Sequence, residues 1–415
     1  MKQKVYFKTF GCRTNLYDSQ VMMGAMQEYE VTQNENEADV VVVNSCTVTN
    51  GADSHVRSYL SHVEKIGDAK VFLTGCGAHT KGEKLLEQGR VAGVFGQSEK
   101  LKIDSMLSKE KPFYEPGDLN YVDEAVVDDF VGKSRAFIKI QEGCDFRCSY
   151  CIIPFVRGDA RSMDEKRILE QITRLALNGF GEFILTGTNV GSYGQKTDSS
   201  VAKLLKKISQ IRGVRRIRLG SVEPIQITDE FKEILDEPWL ERHLHIALQH
   251  TSPQMLKLMN RRNVYKQDRE LFELLAAKGF AIGTDFITGH PGESQELWDE
   301  AMRNVRELPL THLHAFTYSK RDGTPSETMK PEVNGKLAKD RLHELENIVK
   351  SKNLEFRKAF SSELDVLVES EKDGYYIGYD QHFNKIILES DEDLIGNWIN
   401  IKDYIVKEES NYGRV

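Results

Sequence analysis

Residues 139–162 read KIQEGCDFRCSYCIIPFVRGDARS. The apolar alternation over 136–141 predicts a β-strand, and Glu-Gly breaks it just before three cysteines, Cys144, Cys148 and Cys151, in the spacing C-x3-C-x2-C. The same unit, a strand followed by a helix, recurs: strands are expected at 136–141, 182–186, 215–221, 244–248, 281–287 and 312–318. Six such units predict an incomplete (β/α)6 barrel, whose active site lies at the carboxyl ends of its strands. The polar and glycine-rich stretches EGC, TGTN, GSVEP, QHTS, TGHPGE and SKRDGT stand at those ends. Residues 340–360 then read as an amphipathic helix.

Three thiolates so spaced can hold three irons of a 4Fe-4S cube and leave the fourth iron open. An open iron can chelate the amino and carboxylate groups at the methionine end of S-adenosylmethionine (SAM). One electron then cleaves the carbon–sulfur bond to a 5′-deoxyadenosyl radical, which the protein must place and shield from water. Structural zinc is the competing reading. It needs a fourth ligand such as His79 or His243, and zinc ribbons favour paired C-x2-C knuckles, of which this chain has none.

Towards the amino terminus, residues 1–125 alternate short β-rich runs with helical stretches, the pattern of a helix-covered parallel sheet. Strands expected at 5–10, 39–44 and 70–74 are each followed within a residue or two by a cysteine: Cys12, Cys46 and Cys76. Ligands of open parallel sheets bind beyond the carboxyl ends of the strands, so these three can converge there and hold a second cluster with an exogenous sulfur. A lone strand-end cysteine is more often core, but three at equivalent positions favour ligation. Residues 111–133 read as a linker. Towards the carboxyl terminus, 361–415 shows short alternating runs separated by Lys-Asp-Gly and Gly-Asn turns, as in a small antiparallel β-barrel.

The 415 residues predict two or three domains. No apolar run approaches the length that spans a bilayer, and the opening MKQKVYFKTFGC has no apolar leader segment, so a cytoplasmic protein without a membrane partner is expected. Net charge is −8, and residues 361–415 hold 5 basic against 13 acidic residues, which leaves the first 360 balanced. Broad nucleic-acid binding is therefore disfavoured, and any RNA surface must be local. The one dense basic run is Arg212, Arg215, Arg216 and Arg218, most simply a solvated or salt-bridged face. Tyr375, Tyr379 and Phe383 could stack on bases or pack in a core.

Nine stretches in order make the chain resemble the methylthiotransferase branch of radical SAM enzymes: FGCRTNLYDS (10–19), VVVNSCTVTNGAD (41–53), LTGCGA (73–78), the cysteine stretch above, TGTNVGSYG (186–194), LGSVEP (219–224), ALQHTSPQMLKLMNR (247–261), DFITGHPGE (285–293) and YSKRDGTPSETM (318–329). The resemblance implies a methylthiotransferase domain over 1–125, a radical SAM barrel over 134–360 and a TRAM-like β-barrel over 361–415. It implies two 4Fe-4S clusters, one on Cys12, Cys46 and Cys76, the other on Cys144, Cys148 and Cys151, with SAM as both methyl donor and radical source. It also implies a SAM pocket of Tyr150, Gly187, Ser221, Glu223, Gln249 and Asp285. Asn15, Arg157, Arg161, Asn189 and Arg321 are candidates for holding the substrate, since an Arg fork suits a phosphate or carboxylate. Arg13 after Gly-Cys and the stretch YCIIPFVRG are most similar to the subfamily acting on N6-threonylcarbamoyladenosine beside the tRNA anticodon. Partners so implied are a tRNA, a reductant such as flavodoxin or ferredoxin, and a sulfur donor. The alternatives are action on a ribosomal protein or on isopentenyladenosine tRNA, or a non-catalytic, zinc-stabilised RNA-binding protein. The chain departs from the family at Gln249-His250-Thr251 and at His290.

Overall fold

A computed structural model describes residues 2–127, 130 and 134–415. Six strands, β1 (Lys4–Thr9), β2 (Glu30–Val31), β3 (Val40–Ser45), β4 (Lys70–Gly75), β5 (Gly93–Phe95) and β6 (Phe113–Glu115), form one sheet in the order β2-β1-β3-β4-β5-β6. All of its pairs are parallel. The run VVVV of β3 is buried on both faces, as a central strand between two helical layers must be. Strand order reverses between β1 and β3, and such a reversal opens a crevice at the carboxyl ends.

The stretch expected as a linker is in part structured. Phe113–Glu115 adds the edge strand β6, while Ala125, Val127 and Phe130 join the core of the next unit. Asp128, Asp129, Val131, Gly132 and Lys133 of that stretch lie outside the described residues.

The second unit contains β7 (Ala136–Glu142), β8 (Arg161–Ser162), β9 (Glu182–Gly187), β10 (Arg216–Leu219), β11 (His243–His245), β12 (Ala281–Thr288) and β13 (His312–Thr317). They run as two sheets, β10-β9-β7-β8 and β11-β12-β13, joined by the parallel bridges Ile217–Leu240 and Val222–Ile246. With β8 set aside as a short antiparallel edge, six parallel strands curve into an incomplete barrel. Helices such as Glu165–Leu177 cover its outside, burying Ile168, Ile172 and Leu175. The helix Gly335–Ala359 follows β13.

The last unit is a curled sheet of β14 (Leu364–Lys372), β15 (Tyr375–Tyr379), β16 (Lys385–Glu389), β17 (Trp398–Ile401), β18 (Tyr404–Val406) and β19 (Asn411–Arg414), antiparallel except for the β16–β19 pair. Lys402-Asp403 turns the chain between β17 and β18.

This sheet docks against the basic run. Arg215 and Arg216 lie over Trp398, Arg218 lies over Phe383, and Arg218 donates to Asp380 O at 2.7 Å. Arg216 and Arg218 are buried and share Glu182, at 2.5 and 2.8 Å. Arg216 and Arg218 are therefore part of an internal salt-bridged interface, while Arg212 and Arg215 are exposed, Arg215 pairing with Asp365 at 2.6 Å. Tyr379 and Phe383 stack on each other at 5.0 Å beneath Arg135, which occupies them within the protein.

Candidate active site

Cys12, Cys46 and Cys76 stand just beyond the carboxyl ends of β1, β3 and β4, around the reversal in strand order. Gly11 permits the approach of the first two. Its φ is +94°, and a Cβ there would lie 2.6 Å from Cys46 Cβ. Cys46 and Cys76 are buried and Cys12 is exposed. Burial, against a backbone N–H from Val48, pushes the Cys46 thiol up to about 12, and Cys76 and Cys12 add to the rise.

The loop of Cys144, Cys148 and Cys151 follows β7. Cys144 N donates to Gly158 O at 3.0 Å and Cys151 N to Cys148 O at 3.1 Å. Ser149 ties the loop to the chain after β11, donating from N to Met259 O at 2.9 Å and from Oγ to Leu258 O at 3.0 Å. Two side chains reach the sulfurs: Asn189 Nδ2 donates to Cys144 Sγ, and Arg261 Nη1 to Cys148 Sγ, each at 3.5 Å. Burial and then Cys148 push the Cys151 thiol up to about 12, so thiolates here call for a bound cation.

N–H groups and a guanidinium aimed at sulfur suit an anionic iron–thiolate group. Four-coordinate zinc would draw its sulfurs to roughly 3.8 Å of one another. Among the described residues, the one group of three His, Cys, Asp or Glu with ligand atoms all within 4.8 Å is His245, Asp285 and His314. Among the described residues, neither cysteine triad has all three sulfurs within that spacing.

The two loops face one cavity of about 890 Å³. Cys12, Cys46, Cys144, Cys148 and Cys151 line it, as do Tyr150, Gly187, Ser221, Glu223, Gln249 and Asp285. Cys76 lies just behind, packed on Ile152 and Val156 of the barrel loop. Gln249 takes φ +68°, costing about 1–2 kcal/mol in a residue with a side chain. Backbone bonds to β12 hold it there, Gln249 N to Asp285 O and Ile287 N to Gln249 O, both 2.9 Å. Burial raises the pKa of Glu223 although Arg261 grips both its oxygens.

Of the residues expected to hold substrate, Asn189 lines the cavity; Asn15, Arg157, Arg161 and Arg321 do not. Arg157 is buried and gives its donors to Asp18, Glu142, Asn15 and Cys76 Sγ. Asn15 donates to Phe10 O and Ser45 O at 2.8 and 2.9 Å. Arg161 donates to the carbonyls of Tyr121, Arg157 and Asp159. Arg321 pairs with Asp53 at 2.7 Å and bonds Asn50 and Thr47 O.

Arg157 belongs to a buried set in which Asp18, Lys100 and Asp123 of the first unit meet Lys139, Glu142 and Arg157 of the barrel. Burial would raise the pKa of Glu142, but Lys139 and Arg157 outweigh it and hold it at about 2. Three anions against three cations leave the set neutral and fasten the two cysteine loops to each other. His290 is packed, with Nε2 2.8 Å from Ser326 Oγ and Nδ1 2.9 Å from Pro291 O.

Arg261 was not singled out in the sequence, nor was a ladder of four histidines, of which His243 alone was named there, as a possible zinc ligand. On β11 and β13, His243 and His245 face His312 and His314 across Gly283 and Asp285 of β12, with ring centroids 4.6 and 4.7 Å apart. A Cβ on Gly283 would lie 2.6 Å from His245 Nδ1 and 2.9 Å from His243 Nε2, so glycine makes room for the ladder. His245 Nε2 stands 3.0 Å from Asp285 Oδ1. Burial works against it, but His245 and His314 hold that carboxylate well below its ordinary range. The signal was present as the tripeptide His-Leu-His, which occurs at 243–245 and again at 312–314 and puts both histidines of each strand on one face.

Comparison with known proteins agrees with this geometry. Residues 4–96 match the model of the uncharacterized protein family UPF0004, and residues 138–305 that of the radical SAM superfamily. The chain is 52% identical over 415 residues to a Helicobacter pylori (strain J99) protein provisionally named as a methylthiotransferase, with 99% of each chain covered. It is 33% identical to the threonylcarbamoyladenosine tRNA methylthiotransferase MtaB of Bacillus subtilis, covering 96% of this chain and 93% of that one. It is 30% identical to the tRNA-2-methylthio-N(6)-dimethylallyladenosine synthase of Fervidobacterium nodosum, with 99% of each covered. The fold is shared with the radical SAM methyltransferase TsrM of Kitasatospora setae, at a TM-score of 0.62 and 16% identity over 79% of this chain and 77% of that one. A strand-end cysteine triad on a parallel sheet, joined to a second triad on a radical SAM barrel, is thus accounted for: the chain is an enzyme of the radical SAM methylthiotransferase family.

Proposed function

We propose that this enzyme places a methylthio group on carbon 2 of N6-threonylcarbamoyladenosine beside the anticodon of tRNA. The observation that carries the reading is the meeting of both cysteine triads at one cavity. A substrate atom there is within reach of radical chemistry from one side and of sulfur from the other. The choice of nucleoside is supported by the Bacillus subtilis relative at 33% identity, against 30% for the dimethylallyladenosine enzyme, and by Arg13 after Gly-Cys.

Cys144, Cys148 and Cys151 would hold the 4Fe-4S cluster that binds SAM, and Cys12, Cys46 and Cys76 a second. Together with SAM these supply the radical, the sulfur and the methyl group. The chain's own residues do the rest. Asn189 and Arg261 donate to the sulfurs, while Tyr150, Gly187, Ser221, Glu223, Gln249 and Asp285 shape the pocket for SAM. The units 1–125, 134–360 and 361–415 are assigned to the auxiliary cluster, the radical chemistry and the tRNA. A cytoplasmic setting, a flavodoxin or ferredoxin reductant and a sulfur donor complete the assignment. No helix among the described residues is long and apolar enough to cross a membrane.

The test is iron and sulfide content after anaerobic reconstitution, with and without Cys144→Ala, Cys148→Ala and Cys151→Ala together. About eight irons falling to about four supports two clusters; four falling to none removes the second. Mass spectrometry of nucleosides from treated tRNA then reads the base. A methylthio group on dimethylallyladenosine instead would overturn the assignment.

A further inference from the structure

Three arginines line the cavity: Arg13, Arg218 and Arg261. Two are neutralised in place, Arg218 by Glu182 and Glu241 and Arg261 by Glu223. Arg13 is not. Among the described residues its guanidinium has neither a hydrogen bond nor an ion pair within 4 Å, although burial and the positive charges of Arg135 and Arg218 bear on it. The acids that feel its charge, Glu241 and Glu182, are already bonded to Arg218 and Arg216. A half-buried cation without a partner among the described residues is costly to keep, and an anion entering the cavity reduces that cost.

A second group points the same way. His243 is 93% buried, by its 7% relative exposure, and among the described residues its Nε2 has no hydrogen-bond partner. Burial, then His312 and His245, keep this ring neutral, and the charge of Arg13 is felt there too. A neutral imidazole can donate to a carboxylate or hydroxyl, or accept from an N–H. The wall between β11 and β13 is thus four histidines rather than the aliphatic side chains that would solvate an isoprenoid tail.

We propose that the histidine-walled lumen, with Arg13 on one side and His243 on the other, is a binding subsite for the carboxylate of the substrate's N6 side chain. The proposal rests on the assignment of an N6-threonylcarbamoyl substrate made above, and it names the residue that distinguishes that anionic, amide-bearing tail from a neutral one. An arginine fork is the geometry suited to a carboxylate, and enclosure strengthens the pair.

The test uses the full-length, anaerobically reconstituted enzyme and three anticodon stem-loops: one with the threonylcarbamoyl acid, one with its uncharged carboxamide counterpart, and one with the dimethylallyl group. Affinities come from fluorescence anisotropy and conversion from nucleoside mass spectrometry. The wild-type protein should bind the acid stem-loop roughly 10- to 100-fold more tightly than the carboxamide, the range of a charge-assisted hydrogen-bonded pair. Arg13→Gln should bring the acid down to the carboxamide's affinity, Arg13→Lys should keep part of the preference, and His243→Asn should weaken it. Iron content and thermal midpoint verify that each variant folds. Equal losses on acid and carboxamide stem-loops would overturn the subsite, since they would put Arg13 on the RNA backbone or in the scaffold. Wild-type enzyme that converts the acid stem-loop while Arg13→Gln keeps its preference overturns the subsite alone. Conversion of the dimethylallyl stem-loop only would overturn the nucleoside assignment as well.

Discussion

Arg261 grips both carboxylate oxygens of Glu223 while its Nη1 stands 3.5 Å from Cys148 Sγ, so one guanidinium joins the cavity wall to the cysteine loop. Both partners are largely buried, and removing one strands the other. Arg261→Ala should therefore destabilise the protein by about 3–5 kcal/mol, and adding Glu223→Gln should recover much of that loss. Thermal unfolding of the four proteins in the cycle measures it. Additive losses would show that the pair is not coupled.

Glu182 gives a pH dependence. Burial would raise its pKa, but Arg218, Arg216 and Arg135 pull it down to about 2, below an ordinary value near about 4.3. A depressed folded-state pKa means stability that is full above the unfolded value and lost as pH falls through the folded one. The wild type should lose about 3 kcal/mol between roughly pH 4.5 and pH 2 from this group. Glu182→Gln should start less stable at neutral pH and show a shallower slope in that window, read from denaturant midpoints.

Gly283→Ala puts a methyl where His245 Nδ1 and His243 Nε2 would be 2.6 and 2.9 Å away, with His312 Cβ at 3.3 Å. Overpacking of this kind costs about 1–3 kcal/mol. The variant should hold its normal iron, because the cysteine loops lie elsewhere on the cavity wall, yet bind stem-loop RNA more weakly. Unchanged RNA affinity would show that the ladder tolerates the shift.

Arg321 reaches from the loop after β13 to Asp53 and Asn50 at the start of the helix Asn50–Ile66. Arg321→Gln should lower the thermal midpoint by several degrees and leave KM for tRNA within about twofold, since both its terminal nitrogens are bonded inside the protein. A raised KM with an unchanged midpoint would return Arg321 to substrate binding.

The parallel sheet and the barrel were legible because each long strand is an apolar, β-branched run cut off by a polar or cysteine-bearing loop. Strands β5 and β6, of three residues each, carry too little pattern to be seen, and β19 is no longer than a turn. The six cysteines were legible by spacing and position. The arginines were not, because residue type says nothing of the partner. Arg321 and Asp53 are 268 residues apart, and Arg157 and Asp18 are 139 apart, so only folding reveals that their charges are spent internally. Arg13 went the opposite way: its neighbours in sequence announce a family, and only its surroundings show a guanidinium without a partner among the described residues.

Phe383, in a left-handed conformation at φ +64°, stacks on His243 at 5.4 Å and lines the cavity from the acidic C-terminal sheet. Through this ring the last 55 residues contribute to the wall of the cavity. A lesion there, far along the chain from every cysteine, should surface as blurred choice among nucleosides even where tRNA still docks.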